Sequence, residues 1–178
     1  MSIIAFKIFE DRIQVAADGR ALLSDQIICE NTKKIKKLSD SLIIGITGTA
    51  NSNGIFEKFI LCNQNYFENL NNETEGLSMM KRFKDYLENY GYNDESIKKL
   101  GGFLIVNKTF LCVFYFDENC LPYTYLCSYE TNSGAFGSTG IYTTALIDSG
   151  LSLEEAIKMS AKKYTSINDN VTVLEISR

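Results

Sequence analysis

Apolar and polar residues alternate in short runs through the N-terminal part of the chain. Residues 3–8 and 12–17 alternate in this way on either side of Glu10 and Asp11, which is the pattern of a β-hairpin. A kink is expected at Asp18–Gly19, a pair typical of turns. Further extended segments are predicted at 21–23, 26–29, 34–38 and 42–47. The N-terminal region is therefore predicted to be rich in strands.

The hydrophobic period changes from Thr49 onward. Apolar residues now recur at helical spacing, which predicts two helices over 49–68 and 75–91. The second helix carries one apolar stripe, made of Met79, Met80, Phe83, Tyr86, Leu87 and Tyr90. A stripe of this kind is typical of core packing rather than of a cofactor site.

The second half of the chain returns to strands and then to helices. Three apolar runs, GGFLIVN, TFLCVFYF and LPYTYLC, predict strands, and the following TNSGAFGSTG is expected to be flexible. A helix is predicted over 141–148, and a capping box formed by Ser152 and Glu155 starts another that runs to about Tyr164. VTVLEIS is predicted to be the last strand. Two antiparallel sheets between helix pairs would bury these patterns, so the predicted fold is α+β, a four-layer α-β-β-α sandwich forming a single domain over 1–178.

Composition narrows the function without naming it. The chain has 178 residues, 45% of them hydrophobic and 22% charged, with a formal net charge of −4. These values are ordinary for one globular domain and give no general reason to expect binding to nucleic acid or to a membrane surface. The N-terminus lacks a basic segment followed by an apolar signal region, so secretion is not expected. A cytoplasmic location is the expectation.

The cysteines and the absence of histidine bear on metal and cofactor chemistry. Five cysteines are scattered without a C-x-x-C pair, and the chain contains no histidine. A zinc site is therefore not expected, and no cofactor is predicted. The cysteines are predicted to be buried free thiols in a reducing cytoplasm. The residues leave open whether a structural cation binds.

Four residues at the ends of the N-terminal strands suggest chemistry. Ser2 stands near the chain start, Asp18 follows a strand, Lys34 opens a basic run, and Gly48 follows the most apolar strand. A hydroxyl, a carboxylate, a lysine and a backbone N–H can together form an acyl-transfer site. Because the chain has no histidine, any general base must be a different group.

The same residues carry a resemblance to a known family. VAADGRALLSDQIICENTKKIKKL followed by LIIGITGTA resembles the first half of a proteasome β-type subunit, most closely the short bacterial peptidase that works with a separate ATPase, the HslV type. AFGSTGIYTTAL and LEEAIKMSAKKYTSINDNVTVLEI resemble the second half of that family. The similarity covers nearly the whole chain. The order and spacing of the motifs are more specific than any one of them.

The resemblance implies a role for each candidate residue. Family members attack the peptide carbonyl with the hydroxyl of an N-terminal threonine, and its α-amine takes the proton through water. Ser2 matches that nucleophile and would become the terminus once Met1 is removed. Lys34 would lower the pKa of the amine, and Asp18 would hold Lys34. Gly48 would donate its N–H to the developing oxyanion, and Ser138 matches a serine near the terminal amine.

The chain also departs from the family pattern. Serine replaces the usual threonine, and Tyr164 and Ile167 fall where many members carry an aspartate and a serine. A shift of one residue in the first strand would place Met1 at the nucleophile position, which would leave no chemistry there. A retained Met1 would likewise block the amine.

Each candidate also has a purely structural explanation. The pair at Asp18 can be only a turn, and Gly48 can serve only close packing between a strand and a helix. The lysines around Lys34 can protect an exposed strand edge or, less in keeping with the acidic remainder of the chain, bind phosphate. Ser138 can be a helix N-cap.

Three functions follow from these alternatives. The first is a peptidase subunit, an endopeptidase of the threonine type with serine as nucleophile, that hydrolyses unfolded polypeptides inside stacked homo-oligomeric rings, with a double hexamer expected. The helices at 49–68 and 75–91 are expected to supply subunit contacts, because Phe56, Phe59, Tyr66 and Phe67 are more aromatic than one stripe requires. The resemblance alone implies an ATPase ring as partner. The second is a non-catalytic structural subunit of the same fold. The third is an N-terminal nucleophile amidase or acyltransferase acting on a small substrate.

Overall fold

A computed structural model describes residues 2–23, 26–48, 50–127 and 131–178, with the backbone alone at 23 and 50–53. The strands are β1 (Ile3–Ile8), β2 (Arg12–Asp18), β3 (Ala21–Leu23), β4 (Gln26–Cys29), β5 (Ile35–Ser39), β6 (Leu42–Ile46), β7 (Phe103–Asn107), β8 (Leu111–Phe116), β9 (Pro122–Cys127), β10 (Ser133–Gly137) and β11 (Val171–Ser177). The helices are α1 (Ala50–Cys62), α2 (Gln64–Glu68), α3 (Glu73–Asn89), α4 (Asp94–Ile97), α5 (Gly140–Asp148) and α6 (Leu153–Lys163).

The strands form two main antiparallel sheets. One has the order β10-β1-β2-β11 and the other β5-β6-β7-β8-β9, while β3 and β4 form a small separate hairpin. β1 and β2 are the predicted hairpin, with Ile4 opposite Ala17. This register sets the beginning of β1 beside the end of β2, so the chain start and the Asp18 turn lie at the same end of the sheet.

Three hydrophobic layers hold the sandwich together. Phenylalanines from α1, α3 and the five-stranded sheet form the first, including Phe56, Phe83 and Phe103. Aliphatic residues of both sheets interdigitate in the second, and smaller residues between the four-stranded sheet and α5–α6 form the third. The predicted four-layer α-β-β-α sandwich is confirmed.

The structure corrects the sequence analysis in two of the elements. The segment expected to be flexible contains strand β10, whose backbone pairs with β1 from Lys7 to Ile3. The helix predicted over 49–68 is two helices, because α1 ends where the side chain of Asn63 donates to the carbonyl of Phe59. The predicted start at residue 49 lies outside the described residues.

The aromatic residues of those helices are also placed differently from the expectation. Phe56, Phe59 and Phe67 were expected to contribute to subunit contacts, but they are 0%, 4% and 0% exposed and pack inside the subunit. Tyr66, the fourth residue of that group, is 38% exposed. The reason lies in the ring contacts, since Phe56 packs against Phe83 and Phe103, and Phe59 packs against Phe67 and Phe83.

Cysteine exposure departs from the expectation as well. Cys112, Cys120 and Cys127 are buried free thiols as predicted, but Cys29 and Cys62 are exposed. In the part of the chain that the structure describes, no helix is both long and apolar enough to cross a bilayer.

Candidate active site

Asp18 lies at the end of β2, against the beginning of β1. Its side chain is buried, and its Oδ1 accepts a hydrogen bond of 2.9 Å from the backbone N–H of Ile3. Its Oδ2 accepts another of 3.0 Å from the N–H of Arg20. The carboxylate therefore ties the turn after β2 to the residue that follows Ser2.

Lys34 completes a buried ion pair with this carboxylate. Its Nζ lies 2.6 Å from Asp18 Oδ1, and the two side chains are only 4% and 0% exposed. The backbone carbonyl of Lys34 accepts from the N–H of Ile46 at 3.0 Å, which fixes the chain just before β5. Burial lowers the pKa of Lys34 below its usual value, more than the attraction of Asp18 raises it, and the charge of Arg20 adds to the lowering.

Ser2 is held by the turn that follows β10. The side chain is buried, and the carbonyl of Ser2 accepts from the N–H of Ser138 at 2.9 Å. Gly137 has a φ of +112°, and a Cβ there would lie 2.1 Å from the Ser2 oxygen, so glycine is required for this close approach. The Ser138 hydroxyl contacts the Ser2 oxygen and the hydroxyl of Ser166, both at 3.4 Å.

Gly48 is placed by backbone contacts at the end of the neighbouring strand β6. Its φ is +134°, and a Cβ there would lie 1.9 Å from the carbonyl oxygen of Leu100. Thr47, the residue before it, donates its N–H to Gly102 and accepts the N–H of Gly102 on its hydroxyl. Close packing of two chain segments is therefore reason enough for glycine at this position.

Beside Lys34, a narrow recess of about 10 Å³ reaches toward Phe56. Lys33 and Lys36 line it together with Lys34, and Lys36 is paired with Glu57 of α1. Within the ranges that the structure describes, no three His, Cys, Asp or Glu side chains are grouped so that they could hold a metal ion.

The hydrogen bonds join four of the five predicted residues. Asp18 binds Lys34 directly, and it reaches Ser2 through the N–H of Ile3, while Ser138 binds the Ser2 carbonyl. Ser138 is not the N-cap of α5, because that position is Thr139. Met1 lies outside the described residues.

Sequence reasoning missed residues that lie close to this cluster. It considered Tyr164 and Ile167 in the segment before the last strand, but Ser166 reaches Ser138 and Asn168 accepts the N–H of Gly19 at 2.9 Å. A usable signal was the polar run SINDN ahead of the final strand. Because β11 pairs with β2 and sets Val171 opposite Asp18, that run must end near the Asp18 turn.

The geometry brings a buried cation and its counter-ion to the start of the chain. A buried lysine with a lowered pKa is a feature of functional sites as well as of structural ion pairs. Both oxygens of the Asp18 carboxylate have a donor, so its buried charge is satisfied by hydrogen bonds. An arrangement of this kind can tune the protonation of a neighbouring group.

The fold belongs to a known class. No protein-family model matches the sequence, but solved structures match almost the whole chain, and they define a proteasome β-type, HslV-like fold, the sandwich of N-terminal nucleophile hydrolases. Among them is the eukaryotic HslV of Trypanosoma brucei, with a TM-score of 0.73 and 12% identity over 99% of each chain. The Thiobacillus denitrificans protein BPH, solved in complex with epoxomicin, has a TM-score of 0.71 and 15% identity over 98% of each chain. A further structure of BPH has a TM-score of 0.69 and 16% identity over 98% of this chain and 97% of BPH.

Proposed function

We propose that this chain is a proteasome-like N-terminal nucleophile peptidase subunit, which hydrolyses unfolded polypeptides within a ring-shaped chamber. The observation that carries the proposal is the buried Asp18–Lys34 pair, bonded to the N–H of the residue after Ser2. Removing two charges from water is costly, so a buried ion pair beside the chain start is better explained by a role in the site than by a gain in stability. We also propose that residues 1–178 form a single domain of this type and act in the cytoplasm.

The reaction uses the two groups of one residue. Once Met1 is removed, the hydroxyl oxygen of Ser2 attacks the peptide carbonyl, and the α-amine of Ser2 takes the hydroxyl proton through a water molecule. The C–N bond then breaks, the leaving amine receives that proton, and an ester on Ser2 remains. Water hydrolyses the ester and restores the hydroxyl. An α-amine has a pKa of about 8, which suits a base near neutral pH.

The other candidate residues prepare this step. The positive charge of Lys34 disfavours the protonated α-amine and so lowers its pKa, while Asp18 keeps Lys34 in place. Gly48 is proposed to donate its N–H to the oxyanion, and Ser138 fixes the Ser2 backbone through the 2.9 Å bond to its carbonyl. Serine lacks the methyl group that restricts χ1 of threonine, so turnover is expected to be slower than with threonine.

The assembly is proposed to be two stacked homo-oligomeric rings, each a hexamer. An ATPase ring is proposed to bind this double ring. Leu61 of α1, Tyr66 of α2 and the α3 C-cap Tyr90 are 49%, 38% and 51% exposed, and these outer helices therefore offer apolar surface for subunit contacts. Sedimentation velocity tests this directly. A monomer at micromolar concentration contradicts the ring.

The chemistry is tested on protein whose terminus is known. Intact mass spectrometry first identifies chains that begin at Ser2, and these are mixed with short fluorogenic peptides and with epoxomicin, the compound bound in the BPH structure. Wild type should cleave the peptides and gain the mass of the inhibitor. Ser2→Ala should do neither, while its sedimentation and thermal unfolding stay unchanged because only one hydroxyl is lost.

The outcomes separate the three functions. Cleavage and labelling that persist in Ser2→Ala show that the proposed nucleophile is wrong. A Ser2-terminated wild type that forms rings but neither cleaves nor labels, even with a matching ATPase, is a structural subunit. An active monomer that hydrolyses small amides points to the amidase.

A further inference from the structure

The side chain of Arg20 connects three chain segments behind the candidate site. Its Nε and one terminal nitrogen donate to the two carboxylate oxygens of Glu30, at 3.1 and 2.9 Å. Its other terminal nitrogen donates to the carbonyl of Thr165 at 2.6 Å. Its backbone N–H donates to Asp18 Oδ2. A two-pronged arginine–carboxylate contact is among the stronger polar contacts in proteins and fixes the orientation of both groups.

Asn168 makes a second connection between the same segments. Its Oδ1 accepts the N–H of Gly19 at 2.9 Å, and its Nδ2 donates to the carbonyl and to Oε2 of Glu30, at 2.8 and 2.5 Å. The residue is only 6% exposed. Glu30 is therefore the common partner of Arg20 and Asn168. Arg20 belongs to the Asp18–Gly19–Arg20 turn, and Asn168 binds that turn at Gly19.

We propose, on the basis of the proposed function, that Glu30 is a positioning residue for the Asp18–Lys34 pair. Through Arg20 and Asn168 it holds the turn that aims the Asp18 carboxylate at Lys34 and at the N–H of Ile3. Glu30 lies in the connection between β4 and β5 that also carries Lys34, so both members of the pair are fixed against one frame. We name Glu30, Arg20 and Asn168 the turn brace.

The turn brace also balances charge. Arg20 and Asp18 act on Lys34 in opposite directions, and Arg20 lowers the pKa of Lys34. Hydrogen bonds from Arg20 and Asn168 keep the pKa of Glu30 below its usual value, so Glu30 is ionised at neutral pH and offsets Arg20. The other charges nearby are the Lys36–Glu57 pair with Lys33 on the recess side. Lys158, Lys162 and Asp169 line a cleft of about 410 Å³ beside Arg20.

Loss of the Glu30 charge is therefore expected to lower the pKa of Lys34 in two ways. Arg20 becomes unbalanced, which favours neutral Lys34, and a looser Asp18 attracts the Lys34 ammonium less strongly. Both lower the pKa of Lys34. A role in stability alone would leave that pKa unchanged.

The experiment compares Glu30→Gln with Glu175→Gln. Glu175 also faces an arginine, at 3.7 Å from Arg12 Nε, but it lies opposite Gln14, toward the other end of β2. The pKa of Lys34 is measured by a ¹⁵N-resolved titration of its Nζ, and hydrogen exchange is measured at the amides of Gly19 and Arg20. In Glu30→Gln the pKa of Lys34 should fall by about half a unit or more. Exchange at the two amides should accelerate about fivefold, the equivalent of one weakened hydrogen bond.

These readouts do not require the protein to be a peptidase. An unchanged pKa of Lys34 and unchanged amide exchange in Glu30→Gln overturn the proposal, as does the same shift in Glu175→Gln. If wild type cleaves peptides, Glu30→Gln should lower kcat with little change in KM. If wild type is inactive, the proposed function fails while the titration still decides the role of Glu30. Should Glu30→Gln not fold, Asn168→Asp keeps an oxygen that can accept the N–H of Gly19 but loses the Nδ2 donor to Glu30. Exchange at the amide of Arg20 should then accelerate, and normal exchange there contradicts the proposal.

Discussion

The two outer helical layers pack against their sheets with different kinds of side chain. Between α1–α3 and the five-stranded sheet, phenylalanine rings pack against one another: Phe56 lies tilted at 4.8 Å from Phe103, and Phe83 lies edge to face with it at 5.3 Å. Between α5–α6 and the four-stranded sheet, the buried apolar residues are alanine, isoleucine and leucine. Beside them the buried hydroxyl of Thr143 in α5 contacts that of Ser160 in α6 at 2.8 Å. Rings contribute large buried area, whereas hydroxyl contacts fix distance and direction.

This difference follows the position of the candidate site. The hydroxyl-lined layer supports β1, which begins directly after Ser2, and β10, which ends directly before Ser138. The aromatic layer supports the five-stranded sheet, and Lys34 enters that sheet at its edge strand β5. We infer that the aromatic layer contributes most of the packing energy, and that the hydroxyl-lined layer contributes most of the alignment at the chain start. Substitutions in each layer test this division.

Phe103→Ala should have the largest effect on stability. Phe103 is fully buried and contacts the rings of Phe56, Phe83 and Phe116, so the substitution leaves a cavity that the rigid sheet cannot close. We expect the free energy of unfolding to fall by about 3–5 kcal/mol, measured by urea denaturation.

The control for Phe103→Ala is a residue of the same layer that faces solvent. Leu61 of α1 is 49% exposed, and Leu61→Ala should change the free energy of unfolding by about 0.5 kcal/mol or less in the monomer. A Phe103→Ala protein that loses less than about 1 kcal/mol would contradict the importance of the aromatic layer. Whatever fraction stays folded should keep normal amide exchange at Ser138.

Much of this fold could be predicted from the sequence because periodicity reports burial directly. The β1–β2 hairpin and the capped helix α6 are examples, since their signals are local. Strand β10 was missed because Ser133, Gly134 and Gly137 carry no apolar period. Pairing with β1 makes it a strand, and Phe6 packs where a Gly134 side chain would be.

The candidate site, like the fold, could be predicted from the sequence only in part. The Asp18–Lys34 pair was predicted from resemblance, and the two residues do form a buried ion pair. The turn brace was not predicted, because Asn168 is 149 residues away from Gly19 and their contact leaves no local pattern. Long-range polar contacts depend on how the sheet edges meet, which single-sequence periodicity does not encode.

Thr143→Val tests the hydroxyl-lined layer and should have an intermediate effect. Valine keeps the shape of threonine but removes the hydroxyl that contacts Ser160 at 2.8 Å and Thr139 at 3.3 Å. All three residues are buried, so the lost contact is not replaced by water. We expect a loss of about 1–2 kcal/mol in the free energy of unfolding, and faster hydrogen exchange at Ser138, which directly precedes Thr139 in the turn.

A hydroxyl on the exposed face of α3 provides the control. Ser78 of α3 is exposed and donates to the carbonyl of Thr74 at 2.9 Å. Ser78→Ala should cost no more than about 0.5 kcal/mol and leave exchange at Ser138 unchanged. Equal effects of the two substitutions on Ser138 would show that alignment at the chain start does not depend on the hydroxyl-lined layer.

The smallest effect is expected at the helix caps, where the two layers again differ. In α6 the Ser152 hydroxyl accepts the N–H of Glu155, and the Glu155 carboxylate accepts from both the N–H and the hydroxyl of Ser152, at 3.0 and 2.7 Å. In α3 Asn72 accepts the N–H of Glu75 at 2.9 Å. At pH 7 each alanine substitution should lower the melting temperature by about 2–4 °C.

Low pH should affect the stability contributed by the two caps differently. Hydrogen bonds from Ser152 hold the pKa of Glu155 below its ordinary value of 4.5. A lowered folded-state pKa gives stability that is present above the ordinary value and is lost as the pH falls through the folded value. The difference in melting temperature between wild type and Ser152→Ala should therefore shrink from pH 7 to pH 3. The difference for Asn72→Ala should stay nearly constant, because the Asn72 side chain does not ionise. Melting curves of the three proteins at both pH values decide this, and a Ser152→Ala difference that persists at pH 3 shows that the Glu155 charge does not contribute to the α6 cap.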